Sequence, residues 1–255
     1  MIQKKLTEWM RKKILTTTIQ TSKIAIIITA AGSSTRMGGG IKKEFLPLKD
    51  GTVLSACAGA FLNALKKFQI TDFIITCKAG NEDEARDAVS SLGYDAFTFV
   101  RGGVSRQESV FKGLLEIERR GNCPDLVLIH DGARPFVSEK IIIEGIEKAL
   151  EFGASVPGLT PTDTQKEIDE NGFIVRHLVR ANLCAVQTPQ NFVFSRLLEA
   201  HKKAAAQIEE LSTQGIKKEF TDDTQIWGEF CGAVKVYPGD ASNIKITYPG
   251  DLKQN

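Results

Sequence analysis

Ala30-Ala31-Gly32-Ser33-Ser34-Thr35-Arg36-Met37-Gly38-Gly39-Gly40 is a run of small residues with one arginine, and Lys42 and Lys43 stand just beyond it. Small side chains let backbone N–H groups approach phosphate oxygens, and the cations neutralise what is bound. The run fits neither common phosphate template, because no Walker Gly-Lys-Ser/Thr follows Gly32 and the Gly-x-Gly-x-x-Gly fingerprint is absent here. A flexible strand-to-helix turn is the alternative for the glycines alone. A second segment, Arg101-Gly102-Gly103-Val104-Ser105-Arg106-Gln107-Glu108-Ser109, has glycines against which a flat base could lie, or is an ordinary capped turn. A third, His130-Asp131-Gly132-Ala133-Arg134-Pro135, sets an acid and a base side by side. Asp131 there suits Mg²⁺ or a ribose hydroxyl, with an ion pair to Arg134 as the structural alternative. In the fourth, Asn243-Ile244-Lys245-Ile246-Thr247, a cation sits inside an apolar run and either serves a site or snorkels to the surface. His177 and His201 read as solvated, the first in a hairpin and the second on a polar helix face.

Elements must bring these segments to one place. Ile24 to Thr29 is a nearly unbroken β-branched run, the pattern of a strand buried on both faces of a parallel sheet. Val53 to Phe68 has helical apolar spacing, and Phe73 to Cys77 is a second apolar strand. Helix starts follow at Asn81 with Glu84 and at Ser105 with Glu108, the latter a capping box. Phe97 to Val100, Leu126 to Ile129 and Ala154 to Leu159 add strands, and a helix opened by Ser138 lies between the last two. This alternation predicts a doubly wound sheet with helices on both faces, whose ligands collect at the carboxyl ends of the strands. The four segments above lie where such ends are expected. Thr164 to Leu178 breaks the rhythm: it reads as a hairpin around a type I′ turn at Asn171-Gly172. Helices near 194–211 and 222–230 and a strand at 233–237 close the chain.

Composition narrows the classes. With 42% hydrophobic and 25% charged residues in 255, the chain can fill a core, and one domain is expected over 24–255, with the arm at about 160–182. Its formal charge of +2 calls for neither nucleic acid nor an acidic membrane. The five cysteines are odd in number and nowhere spaced Cys-x-x-Cys, so neither a disulfide framework nor a zinc site is expected and a reducing cytoplasm fits. Residues 1–23 are a basic extension, read as frayed, with an amphipathic organelle address or a helix docked on the body as the alternatives. No apolar stretch is long enough to cross a membrane.

Taken in order, Ala30-Ala31-Gly32 with Arg36-Met37, Lys43-Glu44-Phe45, Gly102-Gly103-x-x-Arg106-x-x-Ser109-Val110, His130 to Pro135, Asp163-Thr164-x-Lys166, Gln187-Thr188-Pro189-Gln190, Thr221-Asp222 and Asn243 to Thr247 closely resemble the 2-C-methyl-D-erythritol 4-phosphate cytidylyltransferase family. The resemblance implies a Rossmann-like nucleotidyltransferase fold with a mostly parallel sheet and a protruding β-hairpin arm. It also implies CTP and a polyol phosphate as substrates, Mg²⁺ as cofactor, and a step of non-mevalonate isoprenoid synthesis. By motif position, Arg36, Lys43 and Lys245 are the catalytic cations. Ala30, Ala31, Gly32, Gly103, Ser109, Asp131 and Gly132 hold the nucleotide, and Asp131 also the metal. Arg134, Thr164, Arg180, Thr188, Thr221 and Lys245 surround the polyol phosphate. The arm implies a homodimer in which Thr164 and Arg180 serve the neighbouring site. Lys42, Glu44, Gly132 and Cys184 stand where the family commonly has Pro, Gln, Ala and Trp; none of these changes removes a cation or the acid. No fused cyclodiphosphate synthase domain is expected. Two other readings share these features: a cytidylyltransferase for D-ribitol 5-phosphate, and an inactive regulatory protein that binds nucleotide.

Overall fold

The computed structural model describes residues 21–32 and 42–253. The basic extension lies outside them except for its last residues, and so does the stretch 33–41 with Arg36. The first strand, β1 (Lys23–Ala30), buries Ile24 to Ile28 completely. A small ribbon of β2 (Pro47–Leu48) and β3 (Gly51–Thr52) leads to α1 (Val53–Ala64), which opens with a capping box between Thr52 and Ser55. This helix ends at Ala64, short of the predicted Phe68, because the chain turns through Leu65 to Phe68 to enter β4 (Gln69–Cys77). Then come α2 (Glu82–Val89), β5 (Phe97–Arg101), α3 (Arg106–Arg120), β6 (Leu126–Asp131), α4 (Glu139–Phe152) and β7 (Ala154–Leu159). Ser105 and Ser138 cap α3 and α4 through their hydroxyls, while left-handed Gly121 and Gly153 end them. The capping box predicted at Ser105 is only half made, since Glu108 accepts from the Val104 N–H instead of from that of Ser105.

β1 lies between β4 and β6, parallel to both, and β5 extends this half beyond β4. The second half was not foreseen in this form. β11 (Gln190–Val193) runs antiparallel to both β6 and β7 and joins them, while β10 (Ala185–Val186) pairs antiparallel with the far end of β7. β12 (Lys235–Pro238) then pairs parallel with the other edge of β7. The sheet is therefore mostly parallel, with one antiparallel strand inserted at its middle.

Alternation along β1 and β6 sends side chains to two cores. Ile24, Ile26, Ile28, Leu126 and Leu128 pack with Leu54 and Phe61 of α1 and Ile142 and Ile146 of α4. Ala25, Ile27, Val127 and Ile129 pack with Val110, Leu114 and Ile117 of α3. The latter core is completed by Leu197 of α5 (Phe194–Thr213) and Trp227 of α6 (Asp223–Phe230). Helices on both faces make the sheet doubly wound, as predicted.

The arm is the ribbon of β8 (Lys166–Ile168) and β9 (Ile174–His177). Its turn is not the predicted type I′, which needs positive φ at two residues in succession. Only Gly172 has it, at φ 85°, and the Gly172 N–H donates to the Asp169 carbonyl. The Asp169 side chain accepts from the N–H groups of Asn171 and Phe173 and holds Asn171 in the ordinary region. Ile168, Phe173, Ile174, Val175 and Val179 project from this arm, each 55–71% exposed.

Candidate active site

Parallel pairing aligns the strand tips. Thr29 is opposite Asp131, Ala30 opposite Cys77, and Cys77 opposite Arg101, so the first three loops leave the sheet along one edge. The first two touch: a side chain at Gly102 would collide with Ala31 and with Ser109, and the Gly102 N–H donates to the Cys77 carbonyl. Glycine is required there because two loops share the space. Ser109 is buried, accepts from the Gly103 N–H at 3.0 Å and donates to the Ser105 carbonyl, which fixes the Gly103 backbone. Gly32 is exposed, and its carbonyl accepts from Lys42 Nζ at 2.6 Å, which ties the two described ends of the first loop together.

Asp131 is the electrostatic centre. Its Oδ2 lies 2.8 Å from Lys245 Nζ and 3.7 Å from Arg134 Nε, and its Oδ1 lies 3.2 Å from Arg106 Nε. Burial alone would raise the pKa of this carboxyl, but Arg106, Lys245 and Arg134 outweigh it and hold the group well below the usual carboxylate range. Gly132 follows, its N–H donating to the Thr29 carbonyl; an added methyl would stand 3.0 Å from that oxygen.

The C-terminal segment carrying Lys245 is seated by several bonds. Ile246 N–H donates to the Ala133 carbonyl, Arg134 Nη1 to the Asn243 carbonyl, and the buried Asn243 side chain to the Thr188 carbonyl. Lys245 therefore does not snorkel away from the site. Lys43 is buried in a short 3₁₀ turn, Lys43–Phe45. Asp251 holds the turn at Thr247 and Tyr248; their N–H groups, and more weakly the charge of Lys43, lower its pKa.

Antiparallel β11 delivers Thr188 to the tip of β6. The Thr188 hydroxyl accepts from the Asp131 N–H at 3.1 Å and lies 3.0 Å from His130 Nδ1. His130 Nε2 lies 3.0 Å from the Arg134 carbonyl, which can only accept, so Nε2 carries the proton and Nδ1 accepts from Thr188. His130 is fully buried against Phe61, and burial pushes its pKa down to about 4. The base read beside Asp131 is accordingly a neutral core histidine, because alternation turns it to the opposite face of the sheet. Thr221 is exposed and bonded to Gln225, and Thr164 and Arg180 lie at the base of the arm, where Arg180 Nη1 donates to the Thr162 carbonyl. Among the described residues no hydrogen bond or ion pair joins these three to Asp131.

His201 is a correction: it is fully buried, with Nε2 3.1 Å from Asp223 Oδ1. Its place was legible, since Phe194, Leu197, Leu198, His201 and Ala204 fall on one helical stripe. Asp223, whose Oδ2 is 2.6 Å from Arg106 Nη1, was missed outright.

A Rossmann-like sheet with glycine-walled turns along its strand tips, and three cations around one buried acid, defines a nucleotidyltransferase. The chain belongs to the 2-C-methyl-D-erythritol 4-phosphate cytidylyltransferase family, whose model matches residues 24–255. It is 38% identical over 234 residues to the 2-C-methyl-D-erythritol 4-phosphate cytidylyltransferase of Clostridium beijerinckii, covering 90% of this chain and 95% of the relative. Against the enzyme of that name from Clostridium novyi the identity is 38% over 240 residues, covering 91% and 94%. Among solved structures, the 4-diphosphocytidyl-2C-methyl-D-erythritol synthase of Anaerococcus prevotii superposes with a TM-score of 0.75 at 29% identity, covering 93% of this chain and 96% of that one. The Francisella tularensis 2-C-methyl-D-erythritol 4-phosphate cytidylyltransferase gives 0.72 at 26%, covering 91% and 97%.

Proposed function

We propose that this chain transfers the cytidylyl group of CTP to the phosphate of 2-C-methyl-D-erythritol 4-phosphate, releasing pyrophosphate, in isoprenoid precursor synthesis. Family membership supports the reaction. The observation that carries the site is the convergence of Arg106, Arg134 and Lys245 on Asp131 at the tip of β6.

An oxygen of the acceptor phosphate attacks the α-phosphorus of CTP in line. The bond from that phosphorus to the oxygen bridging to the β-phosphorus breaks, and pyrophosphate leaves with the electron pair. A phosphate monoester has a second pKa of about 6, so the nucleophile is largely a dianion at neutral pH and needs no protein base. The protein supplies position and positive charge. In this reading Arg36 and Lys43 grip the triphosphate, while Gly103 and Ser109 meet the cytosine beside Ala30, Ala31 and Gly32. Asp131 and Gly132 meet the ribose. Arg134 and Lys245 take the acceptor phosphate, with Thr221 at the rim; Thr188 acts by fixing the strand tip.

Mg²⁺ completes the proposal. Such an ion takes hard oxygen donors, commonly one or two carboxylates together with waters and substrate phosphates, and Asp131 is the residue that would hold it. When bound, it withdraws charge from the phosphate oxygens. The exposed apolar face of the arm supports a homodimer in which Thr164 and Arg180 reach the neighbouring site. The described cysteines are all free, which supports a reducing cytoplasm, and no described helix is long and apolar enough to cross a membrane.

The test is pyrophosphate release from CTP and Mg²⁺ with 2-C-methyl-D-erythritol 4-phosphate, run beside D-ribitol 5-phosphate. Turnover with the first acceptor supports the reading; turnover with the second alone, or with neither, overturns it. Lys43→Ala should lower the rate by roughly a hundred- to a thousandfold, as the loss of a preorganised charge does. A variant keeping more than about a tenth of wild-type turnover removes Lys43 from the mechanism.

A further inference from the structure

Arg106 is the first residue of α3, and its guanidinium joins two carboxylates from distant parts of the chain. Nε faces Asp131 Oδ1 and Nη1 faces Asp223 Oδ2. Asp223 is itself held on every side: the Gln190 side-chain oxygen accepts its N–H, and His201 Nε2 meets its other oxygen. Arg106 is therefore fixed from behind. The two oxygens of Asp131 are divided, Oδ1 toward this buried anchor and Oδ2 toward Lys245 and Arg134.

That division bears on how the site can take up phosphate. A lysine on a carboxylate must leave it, at least in part, to neutralise a phosphate. It leaves more readily when the carboxylate keeps another cation. Without Arg106, Asp131 would have as partners only the two cations that a phosphorylated ligand needs. The carboxylate would also be free to rotate toward them.

We propose that Arg106, anchored by Asp223, is a positioning residue: it holds Asp131 from the interior so that Lys245 and Arg134 stay available to the phosphorylated substrates. The inference rests on the reading of Asp131 and Lys245 given above. Arg106 differs from Lys245 and Arg134 in being held by a second carboxylate, that of Asp223. Lysine cannot replace it, since a single ammonium lacks the fork that spans two acids.

A buried ion pair can also serve stability alone, so the experiment is a double-mutant cycle with a stability control. Arg106→Gln and Asp223→Asn are each made alone and in the Asp131→Asn background. The cycle is read in kcat/KM for pyrophosphate release and in CTP affinity by calorimetry. Unfolding midpoints are measured in parallel. Each single variant should lose at least about tenfold in kcat/KM, and less than about twofold further once Asp131 is already Asn. Arg106→Lys should fail to rescue. Losses that multiply in full in the Asp131→Asn background, or a folded Arg106→Gln protein within about twofold of wild type, overturn the proposal. If Arg106→Gln does not fold, the nearly isosteric Asp223→Asn carries the cycle. An inactive wild-type protein overturns the proposed reaction instead, and the two failures are thereby separated.

Discussion

At the scale of single residues, His130 shows how one step along a strand changes chemistry. Asp131 faces three cations at the sheet edge, whereas His130, its neighbour, is sealed against Phe61 with both ring nitrogens engaged. Its folded pKa of about 4 lies below the 6.5 of the free side chain, so the unfolded chain binds more protons between these values. The stability it contributes is complete above about pH 6.5 and is lost as pH falls toward about 4, up to about 3 kcal/mol. Denaturant melts of wild type and His130→Gln should show a shallower slope for the variant in that window. Parallel slopes would mean that another group titrates there. The shifted acid Asp131 does not confuse the window, because its contribution is lost only as pH falls below its unfolded value of 3.8. The place of Asp131 at a strand tip was legible from the apolar run before it, and Lys245, read only as a cation inside an apolar run, lies 2.8 Å from it. The Arg106 to Asp223 link was not, because its ends are 117 residues apart and no local pattern joins them. His201 was misread from the polar residues around it, although its helical phase placed it inside.

Elements were more legible than their ends or their partners. β1 was clear because a parallel strand buried on both faces carries an unbroken apolar run, and the start of α4 because Ser138 marks it. The Ser138 hydroxyl accepts from the Ile141 N–H, so Ser138→Ala should cost about 1 kcal/mol in a urea melt without changing KM. A loss below a few tenths would show that water replaces the cap. β11 escaped notice because Gln190-Asn191-Phe192-Val193 is four residues long and half polar. Its polar members are satisfied by contacts that sequence does not reveal, such as Asn191 to Ser155 and Gln190 to Asp222. The arm was legible as a hairpin, but its turn type was not, because the Asp169 side chain decides it.

At the scale of the molecule, the doubly wound architecture followed from the order of strand and helix signals, while the shape of its second half did not. The exposed apolar side chains of the arm have a specific expected use. Removing residues 165–178 should convert a dimer to a monomer in light scattering, and turnover should fall because Thr164 and Arg180 lose their place. An unchanged mass would detach the arm from assembly. The inserted strand has a further consequence, for how the polypeptide is made. As synthesis passes residue 131, β1, β4, β5 and β6 are complete, yet the lane beside β6 stays open until Gln190 to Val193 arrive. A nascent chain paused on the ribosome between those points carries an unpaired strand edge, which is the state most vulnerable to joining a neighbour.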